Sequence, residues 1–262
     1  MEYQHIRLER AGPIATVTFN RPSKANAVHY DHLAEIEHAA LSFRDDAETR
    51  VVIFTGEGKH FCSGADLTDS GEAYQVPMVL RRRRMRIGER TIAALREMDQ
   101  ITIAAWNGGA MGGGACIALA LDLRLGCPDS FIQFPEIDIG VNLMWQSLPL
   151  AVQMVGPARA KRLVVGGERV YGPALMDWGV VDHLSAAEEL QTAALTMARI
   201  YAAKAPIAAQ MIKRSINQLA SAHDRAIMHM DADQNMLTQT TADRRAAIEA
   251  YLAGKDPKFS GD

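Results

Sequence analysis

The sequence predicts an α/β fold that ends in an all-helical quarter. Two observations carry this: short β-branched or aromatic runs alternate with helical patterns in the first part of the chain, and after about residue 185 the strand signals stop. A third is the balance of 48% hydrophobic and 23% charged residues over 262 positions, enough to bury a sizeable core.

Ile14 to Phe19, Val51 to Thr55, Ile101 to Trp106 and Phe131 to Phe134 are apolar runs bounded by turn residues, and they read as strands. Between them, Leu33, Ile36, Ala40 and Phe43 recur at helical spacing, as do Ile87, Ile92, Leu95 and Met98. The segments 186–204, 206–221 and 224–253 read as amphipathic helices, with Pro206 at a helix-opening position. No linker rich in Gly, Pro or Ser divides the chain. Residues 1–190 are therefore expected to form an α/β core and 191–262 a helical region that packs on it or on neighbouring subunits.

Charge and cysteine usage exclude several classes. A net charge of −3 and a pI near 6.2 give no reason to expect nucleic acid or an acidic membrane surface as partner. No apolar run approaches the ~20 residues that span a bilayer, and the start MEYQHIRLERAGPIATV has no apolar signal core. Cys62, Cys116 and Cys127 are odd in number and lack C-x-x-C spacing, which disfavours a disulfide framework and a zinc site; a reduced, cytoplasmic compartment is expected. Metal is not expected either. Asp231-Ala-Asp-Gln-Asn235 begins like a calcium loop, but Met236 stands where glycine is needed and Ala242 where the bidentate glutamate belongs. His29 with His32 reads as a pair on a helix surface.

Three stretches could carry chemistry. Gly56 to Leu67 follows a strand, and Ser63, Gly64 and Ala65 would let a ligand approach the main chain; a plain strand-to-helix turn explains it equally well. Trp106 to Leu119 holds five glycines in the seven positions from Gly108 to Gly114 before an alanine-rich run. Such a turn feeding a helix N-terminus suits phosphate, carboxylate or a developing oxyanion, while the Walker and dinucleotide patterns are both unmatched. In Phe131 to Gly140 the carboxylate Glu136 follows Pro135 in an apolar setting, where desolvation would raise its pKa toward the range useful for proton transfer; a solvated loop residue is the plain alternative.

FCSGAD, NGGAMGGGACIALALDLRL and FPEIDIG, in this order and at these separations, resemble the enoyl-CoA hydratase/isomerase family, the crotonase superfamily. The resemblance runs from Asn20-Arg-Pro-Ser-Lys-Ala-Asn-Ala27 through Gly156-Pro-Ala-Arg-Ala160 and Ala174 to Leu184, and reaches Asp243-Arg-Arg245 and Phe259. It implies a crotonase-like spiral of β-β-α units with a C-terminal helical trimerisation region, giving trimers or hexamers. It also implies an acyl-CoA thioester substrate and no dissociable cofactor, because CoA arrives with the substrate. Oxyanion-hole N–H groups are implied at Ala65 and Gly113, with Glu136 as general acid/base. Lys24, Ala25, Ala27, Ser63, Gly64, Asp66 and Leu67 are implied as the CoA-binding surface, and Gly112, Cys116, Met144 and Trp145 as walls of the acyl pocket. Arg81 to Arg84 with Arg86 would touch CoA phosphates or form a solvated helix face; Thr68 stands where lysine is frequent.

Departures narrow the implied reaction. Two-carboxylate hydratases of the family carry a second glutamate where this chain has Cys116, and dienoyl-CoA isomerases an aspartate where it has Met144. The single glutamate favours an enoyl-CoA isomerase. The alternatives within the fold are a hydratase, a hydratase-lyase or a β-dicarbonyl hydrolase; the alternative outside catalysis is a CoA-binding scaffold. Cys116 reads as a small buried core residue rather than a reactive thiolate.

Overall fold

The computed structural model describes residues 2–69 and 71–262, the side chains of Arg225, Tyr251 and Leu252 apart. In chain order it contains β1 (Ile6–Ala11), β2 (Ile14–Phe19), α1 (Tyr30–Leu41), β3 (Val51–Gly56), α2 (Met78–Met85), α3 (Ile87–Arg96), β4 (Ile101–Trp106), β5 (Gly109–Met111) and α4 (Gly113–Ala120). Then follow β6 (Leu123–Gly126), β7 (Phe131–Gln133), α5 (Ser147–Val164), β8 (Val170–Tyr171), α6 (Gly172–Asp177) and β9 (His183–Leu184). The chain closes with α7 (Leu190–Ala202), α8 (Pro206–Ala220), α9 (Asp224–Met228), α10 (Asp231–Thr238) and α11 (Ala242–Ala253).

Six strands form one sheet in the order β1-β2-β3-β4-β6-β9, with only β1–β2 antiparallel, and β5-β7-β8 form a second. Every residue of β3 is buried, as expected of a parallel strand covered on both faces. Alternation along it feeds two cores. Val52 and Phe54 join Ala104 and Trp106 against α1, α3 and α4, while Val51 and Ile53 join Ile103, Ala105 and Leu125 against Leu190, Ala194, Ala198 and Ala202 of α7. The alanines of α7, four residues apart, make one smooth stripe that lets the helix lie close to the sheet.

Successive units place one strand in each sheet before a helix: β4, β5, α4, then β6, β7, α5. An earlier unit follows the same path, because Cys62 after β3 bridges Ala110 of β5. This is the β-β-α spiral.

Several sequence expectations are corrected here. The segment 224–253 is not one helix but three, broken at His229–Met230 and Gln239–Thr241. The hydroxyls of Thr240 and Thr241 donate to the carbonyls of Leu237 and Thr238, and Thr241 Oγ1 then accepts the Arg244 N–H, so side chains replace the helix ladder at that break. A strand, β5, intervenes between β4 and the helix that the glycines open. Phe43 and Met98 lie just beyond α1 and α3 yet remain buried. His32 is wholly buried rather than on a helix surface.

Candidate active site

The loop after β3, the start of α4 and the turn after β7 meet around a cavity of about 580 Å³. The first wall is the Ser63–Asp66 turn. Val28 N–H donates to Gly64 O at 2.8 Å and Asp66 N–H to Val28 O at 2.9 Å, so Ala65 sits between two bonds in which its own N–H takes no part. Gly64 has φ of 85°, and a Cβ there would stand 2.6 Å from Met111 O and 3.3 Å from Gly113 N. Only glycine allows the two turns to come this close.

The second wall is Gly112–Gly113, where the helix α4 begins. Gly112 N–H donates to Gln133 O at 2.9 Å, tying the turn to β7. Among the described residues, neither Ala65 N–H nor Gly113 N–H donates to a protein acceptor, and both residues line the cavity. A pair of unbonded donors, one of them at a helix N-terminus, is suited to an oxygen that gains negative charge.

Glu136 completes the site. Pro135 to Gly140 form a run of turns closed by Val141 N–H donating to Glu136 O at 3.0 Å. A Cβ on Gly112 would come within 2.5 Å of Glu136 Oε1. The residue is only half-buried because part of it borders the cavity, but its Oε2 is shut off from water and meets no hydrogen-bond partner. Burial raises the carboxyl pKa to about 7, with the residue's own N–H opposing the shift. At neutral pH such a group both accepts and returns a proton.

Trp145 forms a wall. Trp145 and Gln146 both adopt left-handed backbone (φ 67° and 60°), a conformation that costs about 1–2 kcal/mol for each residue with a side chain. Buried Asp231 holds it by accepting the Gln146 N–H at 2.9 Å. Burial raises the Asp231 pKa to about 6 against that hydrogen bond. The turn presses the indole onto Gly113 and Gly88; a Cβ on either would fall within 2.1 Å of a ring atom.

The sequence-derived site residues thus divide. Ala65, Gly113, Glu136, Ser63, Gly64, Asp66, Leu67, Gly112, Cys116, Met144 and Trp145 all line the one cavity. Lys24, Ala25 and Ala27 do not; they lie beside the Ser63–Asp66 turn, where Ser63 N–H donates to Ala25 O at 3.0 Å. The Asp66 side chain is also taken up internally, by Arg21 at 2.9 Å and by Thr68. Burial works to raise its pKa, but the bonds from Thr68 and Arg21 outweigh it and hold the carboxyl at about 2. A depressed pKa contributes stability above the ordinary value, 3.8, that is lost as pH falls through about 2. Asp66→Asn is expected to lower unfolding stability by about 1–2 kcal/mol at pH 7, discounted for the water that reaches the pair, and by much less near pH 2, read by denaturant titration at both pH values.

Cys116 is buried, with Sγ 2.6 Å from Ser147 Oγ and 3.2 Å from Gly112 O. Burial and then the nearby Glu136 carboxylate push its thiol well above the ordinary range, the opposite of what a nucleophile needs. Of the arginines around α2, only Arg81 lines the cavity. Arg21, Asp231 and Arg244 were not singled out as site residues from sequence: each acts through a contact between segments far apart in the chain. Among the described residues no group of three His, Cys, Asp or Glu could hold a metal ion, and no helix is long and apolar enough to cross a membrane.

Fold and site together define an α/β spiral whose backbone donors and the Glu136 carboxylate share a cavity. Comparison with known proteins agrees. The profile of the family described as Enoyl-CoA hydratase/isomerase matches residues 9–262, and the chain belongs to that family. It is 27% identical over 253 residues to the short-chain-enoyl-CoA hydratase of Clostridium acetobutylicum, covering 96% of each chain. It is 26% identical to the peroxisomal Delta(3,5)-Delta(2,4)-dienoyl-CoA isomerase of Arabidopsis thaliana, covering 97% of this chain and 95% of that one. A solved enoyl-CoA hydratase from Mycobacterium avium subsp. paratuberculosis K-10 shares the fold with a TM-score of 0.89 at 21% identity, covering 99% of this chain and 100% of that one. The protein is thus an enzyme of the enoyl-CoA hydratase/isomerase family with the crotonase fold.

Proposed function

We propose that this enzyme is a single-glutamate enoyl-CoA isomerase. The thioester oxygen of a 3-enoyl-CoA accepts the N–H groups of Ala65 and Gly113, and the Glu136 carboxylate removes a proton from the carbon next to the thioester. The charge spreads to the thioester oxygen as a dienolate, and two such donors offset it by about 3–4 kcal/mol each. The proton then returns from Glu136 two carbons further along, which moves the double bond into conjugation without adding water. CoA is bound along Ser63 to Leu67, beside Lys24, Ala25 and Ala27, and no dissociable cofactor takes part.

The observation that carries this reading is the pair Glu136 and Cys116, which line one cavity: the carboxylate is ready to move a proton, while a buried, neutral thiol stands where a second glutamate would be needed to orient water. The names of the relatives favour a second reading, hydration at the same site, since most are hydratases. Self-association is supported by α8, which exposes Ile207, Met211, Ile212, Ile216 and Leu219.

A panel of enoyl-CoA and β-keto-CoA esters in deuterated water separates the readings. Deuterium gain with migration of the double bond and no hydroxyacyl product is the expected result. Net hydration makes it a hydratase, release of free acid a hydrolase, and no reaction across the panel a scaffold.

A further inference from the structure

Two guanidinium groups reach the Glu136 cavity without an ion pair to any acidic side chain among the described residues. Around α2, Arg82 pairs with Asp233 at 2.7 Å, Arg86 pairs with Glu89 at 2.8 Å, and Arg84 donates to Ala73 O at 2.6 Å. Arg81 lines the cavity instead, and its Nε is buried with no acceptor. From α11, Arg244 lines the same cavity and donates through Nη1 to Ile139 O at 2.7 Å. Burial lowers its pKa. Among the described residues neither arginine forms an ion pair.

A half-buried cation without a counter-charge is costly to fold, and a cavity built for a plain hydrocarbon tail gains nothing from two of them. An anion delivered by the ligand reverses that sign. Its source is indicated by where Arg244 sits: it is fixed to the turn that carries Glu136, whereas Lys24 to Ala27 lie beside the Ser63–Asp66 turn. Arg244 is thus tied to the segment that carries the base and not to the Lys24–Ala27 surface.

We propose that Arg244, assisted by Arg81, receives a carboxylate at the far end of the acyl group, so that the substrate is the CoA monothioester of an unsaturated dicarboxylic acid. This rests on the reading that an acyl-CoA is deprotonated beside Glu136.

The test compares two enoyl-CoA esters of equal chain length, one ending in methyl and one in carboxylate, by deuterium exchange and double-bond migration. Wild-type protein should favour the carboxylate ester by roughly 10- to 100-fold in kcat/KM, the worth of a hydrogen bond to a charged group. Arg244→Gln should bring the ratio near one, and Arg244→Lys should retain most of it. Arg81→Gln, which removes no bond to the backbone, carries the test if Arg244→Gln does not fold, and should also lower the ratio. A wild-type ratio of one or less with exchange intact overturns the proposal alone. Equal weakening of free CoA and of both esters in the arginine variants places the cations on CoA phosphate and also overturns it. No exchange with either ester overturns the Glu136 reading itself.

Discussion

Glu136→Gln is expected to bind CoA thioesters almost as tightly as the wild type while proton exchange at the acyl chain falls about 10²–10⁴-fold, the usual contribution of a positioned general base. The amide keeps the size of the side chain against Gly112 but has no lone pair basic enough to take a carbon-bound proton. In the wild type, kcat/KM should rise with pH through about 7 and level off above it, because the free enzyme needs the ionised carboxylate. Stability moves the other way. The folded pKa, about 7, lies above the ordinary 4.5, so the carboxyl's contribution is intact below 4.5 and is lost as pH rises through 7. The deficit above pH 7 reaches about 3 kcal/mol at most. Glu136→Gln lacks this deficit and should gain stability relative to wild type between pH 5 and pH 8, read by denaturant unfolding. Undiminished turnover in the variant would remove Glu136 from the mechanism.

Trp145→Ala is expected to lower unfolding stability by about 3–5 kcal/mol, the range for deleting a buried aromatic whose cavity cannot collapse. Collapse is prevented on two sides, because Gly88 and Gly113 belong to α3 and α4 and carry no side chains to move inward. The Gly113 N–H would also lose the wall that fixes it. Turnover should therefore fall together with stability, whereas Trp145→Phe should keep more of both. A loss under about 0.5 kcal/mol, measured by denaturant titration, would show that the indole does not hold this wall; that figure is the scale of an ordinary surface change.

Central strands were the most legible elements, since β2, β3 and β4 are apolar runs buried in the sheet. β1 was hidden because Arg7, Glu9 and Arg10 are exposed and only Ile6 and Leu8 give the strand an apolar face, as an edge strand allows. β5 was hidden inside the glycine run, where Gly109-Ala-Met111 has no β-branched residue to betray it. The long C-terminal helix was overread because the apolar spacing continues across two breaks, the second of them held by the Thr240 and Thr241 hydroxyls.

The three turns of the site were legible for a different reason. Glycine clusters and a lone carboxylate after proline are local features, written in adjacent residues and unaffected by what lies far away in the chain. By itself the sequence determined an alternating α/β chain, the segments whose backbone a ligand could approach, and Glu136 as the candidate acid. Tertiary structure alone decided that the Ala65 and Gly113 donors share one cavity with that carboxylate and that Asp66 is spent on Arg21. It also decided that Asp231 pins the Trp145 turn and that Arg81 and Arg244 line the cavity without an ion pair among the described residues. Those outcomes depend on contacts between segments far apart in the chain, from 23 positions for Gly113 and Glu136 to 105 for Ile139 and Arg244, and no local pattern of residue types encodes a distance of that kind.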